Sequence, residues 1–573
     1  MVKNLGKISD LIFQYKKIKS FIFIFFLIVA SFLEGLSIAI IFPILEVMVN
    51  NNENNLLYKV FPFINNNSDY LLLNIISIIS AIFILKSLFL VYLSWWNSGF
   101  LEELNYFFRT EVLKRYINND YLFHLNTKIS TLLRNAYNEV GNFIQGIIVL
   151  FRLIAEFLIF IIIFSILIFF QPKITLTIIF FFTIFGLLYI LILKKKLQNW
   201  SKQIVNYSGK MIQSIQQSLE SIKFIKIRNS EKKVFEDYNA KVLMFTKYTR
   251  YNAFVSEFPK IILELLGIFS ILFLIYFLYQ ENMSNISYLI PSLGLFTAAA
   301  FRLLPNISRI IQGTQLIYSY SESIRVINDS LNISEQQNIE VKKKKFIRDI
   351  EIKDLVYSYP GTQNKVFDKI NLRINKNDFV CIIGESGIGK TTLTDLITGL
   401  VEPKSGEVLI DGESLNKIGK KNWQKNIGYV PQNIILFNST LRENISMNLK
   451  QEKVNYDKIY QSLNYSELNS FVKEKDEGLN FIIDEKGKNL SMGQIQRIAI
   501  ARSLYTDAEI LIFDEFTSSL DQETQDKILL SLNNFIGKKT IIMISHNEKV
   551  MAKANKIFEL KKDEIGKVVL EVK

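Results

Sequence analysis

Residues 384–392 read GESGIGKTT, behind the apolar run FVCII (379–383) and ahead of a stretch with helical spacing. Strand, glycine-rich turn and helix together form the setting in which this pattern cradles phosphate. Gly384, Gly387 and Gly389 let backbone amides approach phosphate oxygens, and Glu385, Ser386, Ile388 and Thr392 complete the expected nucleotide-binding loop. Lys390 would neutralise charge at the β- and γ-phosphates. Thr391 offers a hydroxyl to Mg2+, and the helix N-terminus adds a favourable dipole. A nucleotide carrying β- and γ-phosphates, together with Mg2+, is therefore the expected ligand.

A second apolar run, ILIFDEF (510–516), delivers Asp514 to the end of a buried strand, where it would hold Mg2+ through water. Glu515 follows and would polarise the attacking water. Between the two lies LSMGQIQR (490–497). Here the sequence resembles the ABC ATPase family, whose signature is LSGGQ. Ser491, Gly493 and Gln494 match, and Met492 replaces the first glycine. In that family the signature closes on the γ-phosphate of ATP held by the other subunit's loop. The resemblance covers the C-terminal domain and implies further roles. Tyr359 in YSYPG would stack on adenine. Gln432 in YVPQN would sense Mg2+ and contact the membrane domain. Asp521 in SSLD fits the D-loop, and His546 in MISHN would contact the γ-phosphate. FIIDEKGKN (481–489) departs from the family's usual element before the signature, although Glu485 and Gly487 remain. Catalysis is expected of Lys390, Gln432, Glu515 and His546, and metal binding of Thr391, Gln432 and Asp514. A signature that serves the opposite loop requires two chains, so the resemblance implies a homodimer with two ATP molecules at its interface.

Upstream of this motor the composition turns toward lipid. The chain has 573 residues, too many for one ordinary core, and 46 of them are Phe. Six apolar segments, near 20–48, 70–97, 141–170, 173–195, 253–280 and 285–311, are each long enough to cross a bilayer as a helix. The N-terminal flank and the segment after Lys194–Lys195–Lys196 are lysine-rich, whereas Lys59 is the only cation of 49–69. The N-terminus, 98–140, 196–252 and the C-terminal half are accordingly expected in the cytoplasm. No cleavable signal is visible, so the first span is expected to remain as an anchor. The two long cytoplasmic segments carry helical spacing and are expected to turn near 119–128 and 219–230. The expected organisation is an α-helical transmembrane domain of the ABC exporter type over 1–325, a linker over 326–345 ending in Lys342–Lys345, and an α/β P-loop ATPase domain over 346–573. A bacterial inner membrane is the expected location.

One cysteine, Cys381, and two histidines, His124 and His546, exclude a disulfide framework and a Cys- or His-based metal centre within one chain. The net charge of +13 belongs to the cytoplasmic loops, and no basic–aromatic stripe points to nucleic acid. The spans keep charges within them, among them Glu34, Lys86, Arg152, Glu156, Lys260, Glu264, Arg302 and Arg309. Arg152 and Glu156, four apart, are expected to neutralise each other. Lys86, Lys260, Arg302 and Arg309 would wall a cationic cavity for an amphiphile with an anionic head, with purely structural ion pairs as the equal alternative. SFLEGLSIAIIFPILEV (31–47), SIKFIKIRNSE (221–231) and FRLLPNISRIIQ (301–312) resemble the corresponding stretches of PglK-type lipid-linked oligosaccharide flippases. That resemblance implies a polyprenyl-diphosphate oligosaccharide as cargo and a short external helix at LLYKVFPFIN. An exporter of peptides, bacteriocins or other hydrophobic compounds is the main alternative. A soluble ABC ATPase is opposed by the six spans, and a scaffold with an inert motor by Glu515.

Overall fold

The computed structural model describes residues 2–39, 71–170, 172–281, 286–333, 342–362, 364–448, 454–515, 521–563 and 567–573. They form two compact units, Met1–Asn119 with Phe123–Gln336, and Asp120–Leu122 with Gln337–Lys573.

Among the described residues up to 331 the secondary structure is helical: α1 (Val2–Ala39), α2 (Leu71–Ile117), α3 (Tyr121–Asn126), α4 (Ile129–Arg134), α5 (Val140–Phe170), α6 (Pro172–Glu220), α7 (Ile222–Ile227), α8 (Glu231–Glu281), α9 (Ile286–Ser319) and α10 (Ser321–Leu331). The six expected spans fall on α1, α2, α5, α6, α8 and α9; residues 40–48 of the first, and LLYKVFPFIN, lie outside the described residues. Among the described residues, Lys16–Ser37, Ser80–Ile117 and Ile129–Phe169 are long and apolar enough to cross a membrane. The expected cytoplasmic turns contain two six-residue helices, α3 and α7.

Helical spacing on α2 places Leu104, Phe108, Val112 and Tyr116 on one face, and all four are buried. Edge-on aromatic contacts fix this core, Phe23 against Phe151 at 4.5 Å and Phe108 against Phe143 at 5.0 Å. Ile324, Ile327 and Leu331 of α10 complete the same core. Residues 326–331, read from composition as linker, are thus helical and packed in the first unit. Their polar character hid an apolar face at helical spacing.

The second unit holds two sheets. β1 (Asp349–Tyr357), β2 (Phe367–Asn375), β4 (Ser405–Ile410) and β5 (Glu413–Ser414) form an antiparallel sheet in the order β2-β1-β4-β5. β3 (Phe379–Gly384), β6 (Ile427–Val430), β7 (Ile510–Asp514), β8 (Thr540–Ile544), β9 (Lys556–Lys562) and β10 (Val568–Val572) form the other in the order β10-β9-β3-β8-β7-β6. Here β9, β3, β8, β7 and β6 run parallel and only β10 is antiparallel. Side chains alternate between two cores, as a strand's period of two requires. Val380, Ile382, Ile510 and Ile512 face one core, and Cys381, Leu511, Phe513 and Met543 the other. A sheet buried on both faces explains why these strands read as unbroken apolar runs. Of the lysine run, Lys344 pairs with Glu413 and Lys343 donates to the Asp507 carbonyl, so both serve packing.

Candidate nucleotide-binding site

Four neighbouring parallel strands, β3, β8, β7 and β6, run in the same direction and deliver the segments after their carboxyl ends to one edge of the sheet. That edge is the usual ligand crevice of an α/β sheet. After β3 comes the phosphate loop, with φ of +150° at Gly384, +78° at Gly387 and +115° at Gly389. A Cβ on Gly384 would lie 2.6 Å from the Leu560 carbonyl oxygen, and one on Gly389 2.9 Å from Val366. Helix α11 (Lys390–Ile397) starts directly from this loop.

Lys390 is buried, and its ammonium donates to the Gly384 carbonyl at 2.7 Å. It also lies 3.1 Å from His546 Nε2 and 3.7 Å from Glu515 Oε1. An ammonium only donates, so His546 Nε2 accepts here and the ring proton sits on Nδ1. Thr391 Oγ1 donates to Asp514 Oδ2 at 3.1 Å, and Tyr429 donates to the same oxygen at 3.4 Å. Burial pushes the Asp514 carboxyl above its usual range, helped by the charge of Glu515. Glu515 has a left-handed backbone, φ +47°, and Gln432 Nε2 donates to its Oε2 at 2.7 Å. Tyr359 lies within 2.9 Å of Thr392 Oγ1 through its hydroxyl, and its ring is edge-on to Tyr357.

Six expected residues thus come together: Lys390, Thr391, Gln432, Asp514, Glu515 and His546. The signature forms a different group. Ser491 caps α12 (Met492–Tyr505) through a reciprocal pair of bonds with Gln494, while Met492 is largely exposed. Asp521 caps α13 (Gln522–Leu532) by accepting from the Thr524 amide at 2.9 Å. That bonding, aided by Arg497, holds its carboxyl below the usual range. Among the described residues the hydrogen bonds of Ser491, Gln494 and Arg497 stay within α12 or reach the Glu467 carbonyl, and none goes to the loop 384–392.

Mg2+ fits the first group. A hydroxyl and a carboxylate 3.1 Å apart, beside a loop shaped for phosphate, are the few protein ligands this ion takes. Among the described residues there is no cluster of three or more His, Cys, Asp or Glu, so no all-protein metal cage competes with it.

Sequence reasoning passed over Asp395 and Tyr429. Asp395 stands four residues after Thr391 on α11, one turn further along the same face, and that spacing was a usable signal. Burial and the negative charge of Asp514 push its carboxyl up to about 6. An acid with a raised folded pKa loses stability as pH climbs from its unfolded value of about 4, and the cost is complete above about pH 6. Asp395→Asn is therefore expected to raise the unfolding temperature at pH 8, with the gain fading by pH 4. Thermal scans across that range check it, and a gain that does not vary with pH would refute it. Cys381 is a strand residue with no exposure; its thiol faces the Ser545 carbonyl at 3.7 Å, and burial pushes its pKa up to about 11.

The charges within the spans resolve differently from one another. Lys86 pairs with Glu34 at 2.9 Å, both nearly buried. Glu156 accepts from Arg309 at 2.8 Å and from Asn306 Nδ2 at 2.6 Å. The partner of Glu156 is thus α9, where Asn306 and Arg309 share a face, rather than Arg152 on its own helix. Lys260 is exposed on α8, with Glu257 and Glu264 three residues before and four after it. The side chain of Arg302 lies outside the described ones.

Comparison with known proteins gives a consistent picture. A family model described as the ABC transporter transmembrane region matches residues 20–301, and one described as ABC transporter matches 367–518. The leukotoxin translocation ATP-binding protein LktB of Mannheimia glucosida is 34% identical over 273 residues, 46% of this chain and 38% of that protein. The alpha-hemolysin translocation ATP-binding protein HlyB of Escherichia coli is 38% identical over 209 residues, 36% of this chain and 29% of that protein. The matches therefore span well under half the length of these relatives. A solved structure of a bacterial Atm1-family ABC exporter with ATP bound superposes with a TM-score of 0.81 at 16% identity, covering 93% of this chain and 92% of that one. At that identity the likeness is one of fold.

Proposed function

Since the chain belongs to the ABC transporter family, with the transmembrane region and the ATP-binding domain on one polypeptide, we propose that it hydrolyses ATP between two copies of itself and uses the cycle to move cargo out across a bacterial inner membrane. The observation that carries this reading is the convergence of Lys390, Glu515 and His546, with Glu515 Oε1 and His546 Nε2 each within 3.7 Å of the Lys390 ammonium. Here these groups face one another. A γ-phosphate would draw Lys390 and His546 to itself and leave the Glu515 carboxylate to a water. Gln432 already holds Oε2, so Oε1 is the lobe that would take the water's proton. Mg2+, held by Thr391 and Asp514 with Gln432 beside them, would supply charge neutralisation at the β- and γ-phosphates when bound. Ser491, Gly493, Gln494 and Asp521 lie with their own helices and would serve the partner's loop, so closure of two ATPase domains would complete each site. The two cytoplasmic turns, near 119–128 and 219–230, would carry that closure to the helices.

For the cargo we infer a lipid-linked oligosaccharide with an anionic diphosphate head. Lys86 and Arg309 are committed to Glu34 and Glu156, so head-group attraction falls chiefly to Lys260 and Arg302. In proteoliposomes of the full-length protein, ATP-driven translocation of fluorescent lipid-linked oligosaccharide is the test, run beside a peptide and a phospholipid. Lys260→Glu with Arg302→Glu is expected to reduce oligosaccharide translocation by about tenfold to a hundredfold, the range for losing charge-assisted contacts. Retained translocation would end the anionic-cargo reading. A second reading, export of a polypeptide, is favoured by the toxin-translocating names of the two relatives, and preferential movement of the peptide would select it.

A further inference from the structure

Helix α8 contains Pro259 in the interior of its 51 residues. Proline has no N–H, so the Val255 carbonyl one turn earlier loses its helical partner. The hydroxyl of Tyr189, on α6, donates to that carbonyl. Tyr189 is buried, and its ring stacks on Phe258 at 6.2 Å and 14°, which holds the hydroxyl in register. The preceding turn is bonded from outside as well. Gln315 Nε2, on α9, donates to the Asn252 carbonyl at 3.3 Å, and Ser319 Oγ donates to Asn252 Oδ1 at 2.7 Å. Over Asn252–Pro259, donors from two neighbouring helices therefore supplement or replace the ladder of α8 itself.

Long helices bend where proline interrupts that ladder. α8 runs on from the expected second cytoplasmic turn, with Pro259 between its two halves, so bending here would move one half against the other. We propose that Asn252–Pro259 is a hinge of the transport cycle and that the Tyr189 hydroxyl is the latch that holds it in the conformation seen here. This rests on the reading of the chain as an ATP-driven transporter. The latch is specific to the proline: with an N–H at position 259, Val255 would regain its helical partner and the hydroxyl would become redundant.

The test is amide hydrogen exchange over residues 250–262 in the full-length protein, without nucleotide and with ATP and vanadate. Tyr189→Phe keeps the ring and removes only the hydroxyl. It should speed exchange of this segment by about threefold to tenfold, the effect of one buried hydrogen bond on an opening equilibrium. In a Pro259→Ala background the same change should have no effect, and Pro259→Ala alone should abolish the difference between the two nucleotide conditions. Unchanged exchange in Tyr189→Phe, or an equal increase in both backgrounds, would overturn the latch. A nucleotide difference that survives Pro259→Ala would overturn the hinge. If the chain consumes no ATP, the nucleotide difference vanishes in every variant while the coupling between Tyr189 and Pro259 persists, which separates the two readings.

Discussion

Glu515→Gln is expected to bind ATP and fail to turn it over. The substitution is nearly isosteric, and its amide oxygen can still accept the bond from Gln432 that orients residue 515. What disappears is the basic lobe that would accept a proton from water, a contribution of about a hundredfold to ten-thousandfold in rate. Binding should be preserved, because the change also removes a negative charge 3.7 Å from Lys390, where phosphate must come. Phosphate release and equilibrium binding of a fluorescent ATP analogue measure the two arms. Undiminished hydrolysis would remove Glu515 from its assigned role.

The second large effect is expected from a single methyl group. Gly384→Ala places a Cβ 2.6 Å from the Leu560 carbonyl oxygen at a φ of +150°. Leu560 lies opposite Gly384 in the parallel pairing of β9 with β3, so neither backbone can withdraw without opening the sheet. The Gly384 carbonyl also receives Lys390, so a shifted loop would misplace the ammonium. A loss of about 3 kcal/mol or more in stability is expected, together with at least a tenfold loss of ATP affinity. Gly387→Ala is the control. Its φ of +78° is unfavourable, but a Cβ there would meet nothing within 4 Å, so about 1–2 kcal/mol is the whole expected penalty. Chemical unfolding and nucleotide titration compare the pair; equal penalties would show that the clash with Leu560 is relieved elsewhere.

Gly384 and Glu515, the sites of these two predictions, illustrate what can be read in a sequence. Gly384 and Glu515 sit in short contiguous patterns whose spacing is dictated by phosphate and by the strand that presents them, so one stretch of chain carries the message. The parallel order β3-β8-β7-β6 then brings four such stretches to one edge, and each was recognisable before the sheet was known. Pairing across the helical unit leaves no comparable trace. Lys86 finds Glu34 52 positions away, and Arg309 finds Glu156 153 positions away. Arg152, four residues from Glu156, looked the better partner because only local geometry is visible in one dimension. The same holds for Tyr189 and the Val255 carbonyl, a bond between a side chain and a backbone group that has no residue signature. α10 failed for a third reason: polar composition outweighed a short apolar face that only packing against α2 and α5 makes decisive.

The solitary thiol offers one practical consequence. Cys381 sits in the middle of β3 with both neighbouring strands in place, so an alkylating reagent cannot reach it until that sheet parts. The rate at which the native polypeptide is trapped by such a reagent therefore clocks rupture of the motor's central strand, with no engineered probe. Nucleotide that tightens the fold would slow the clock, and where the strand recloses faster than it is trapped, the ratio of the two rates would read out the stabilisation conferred at that nucleotide concentration.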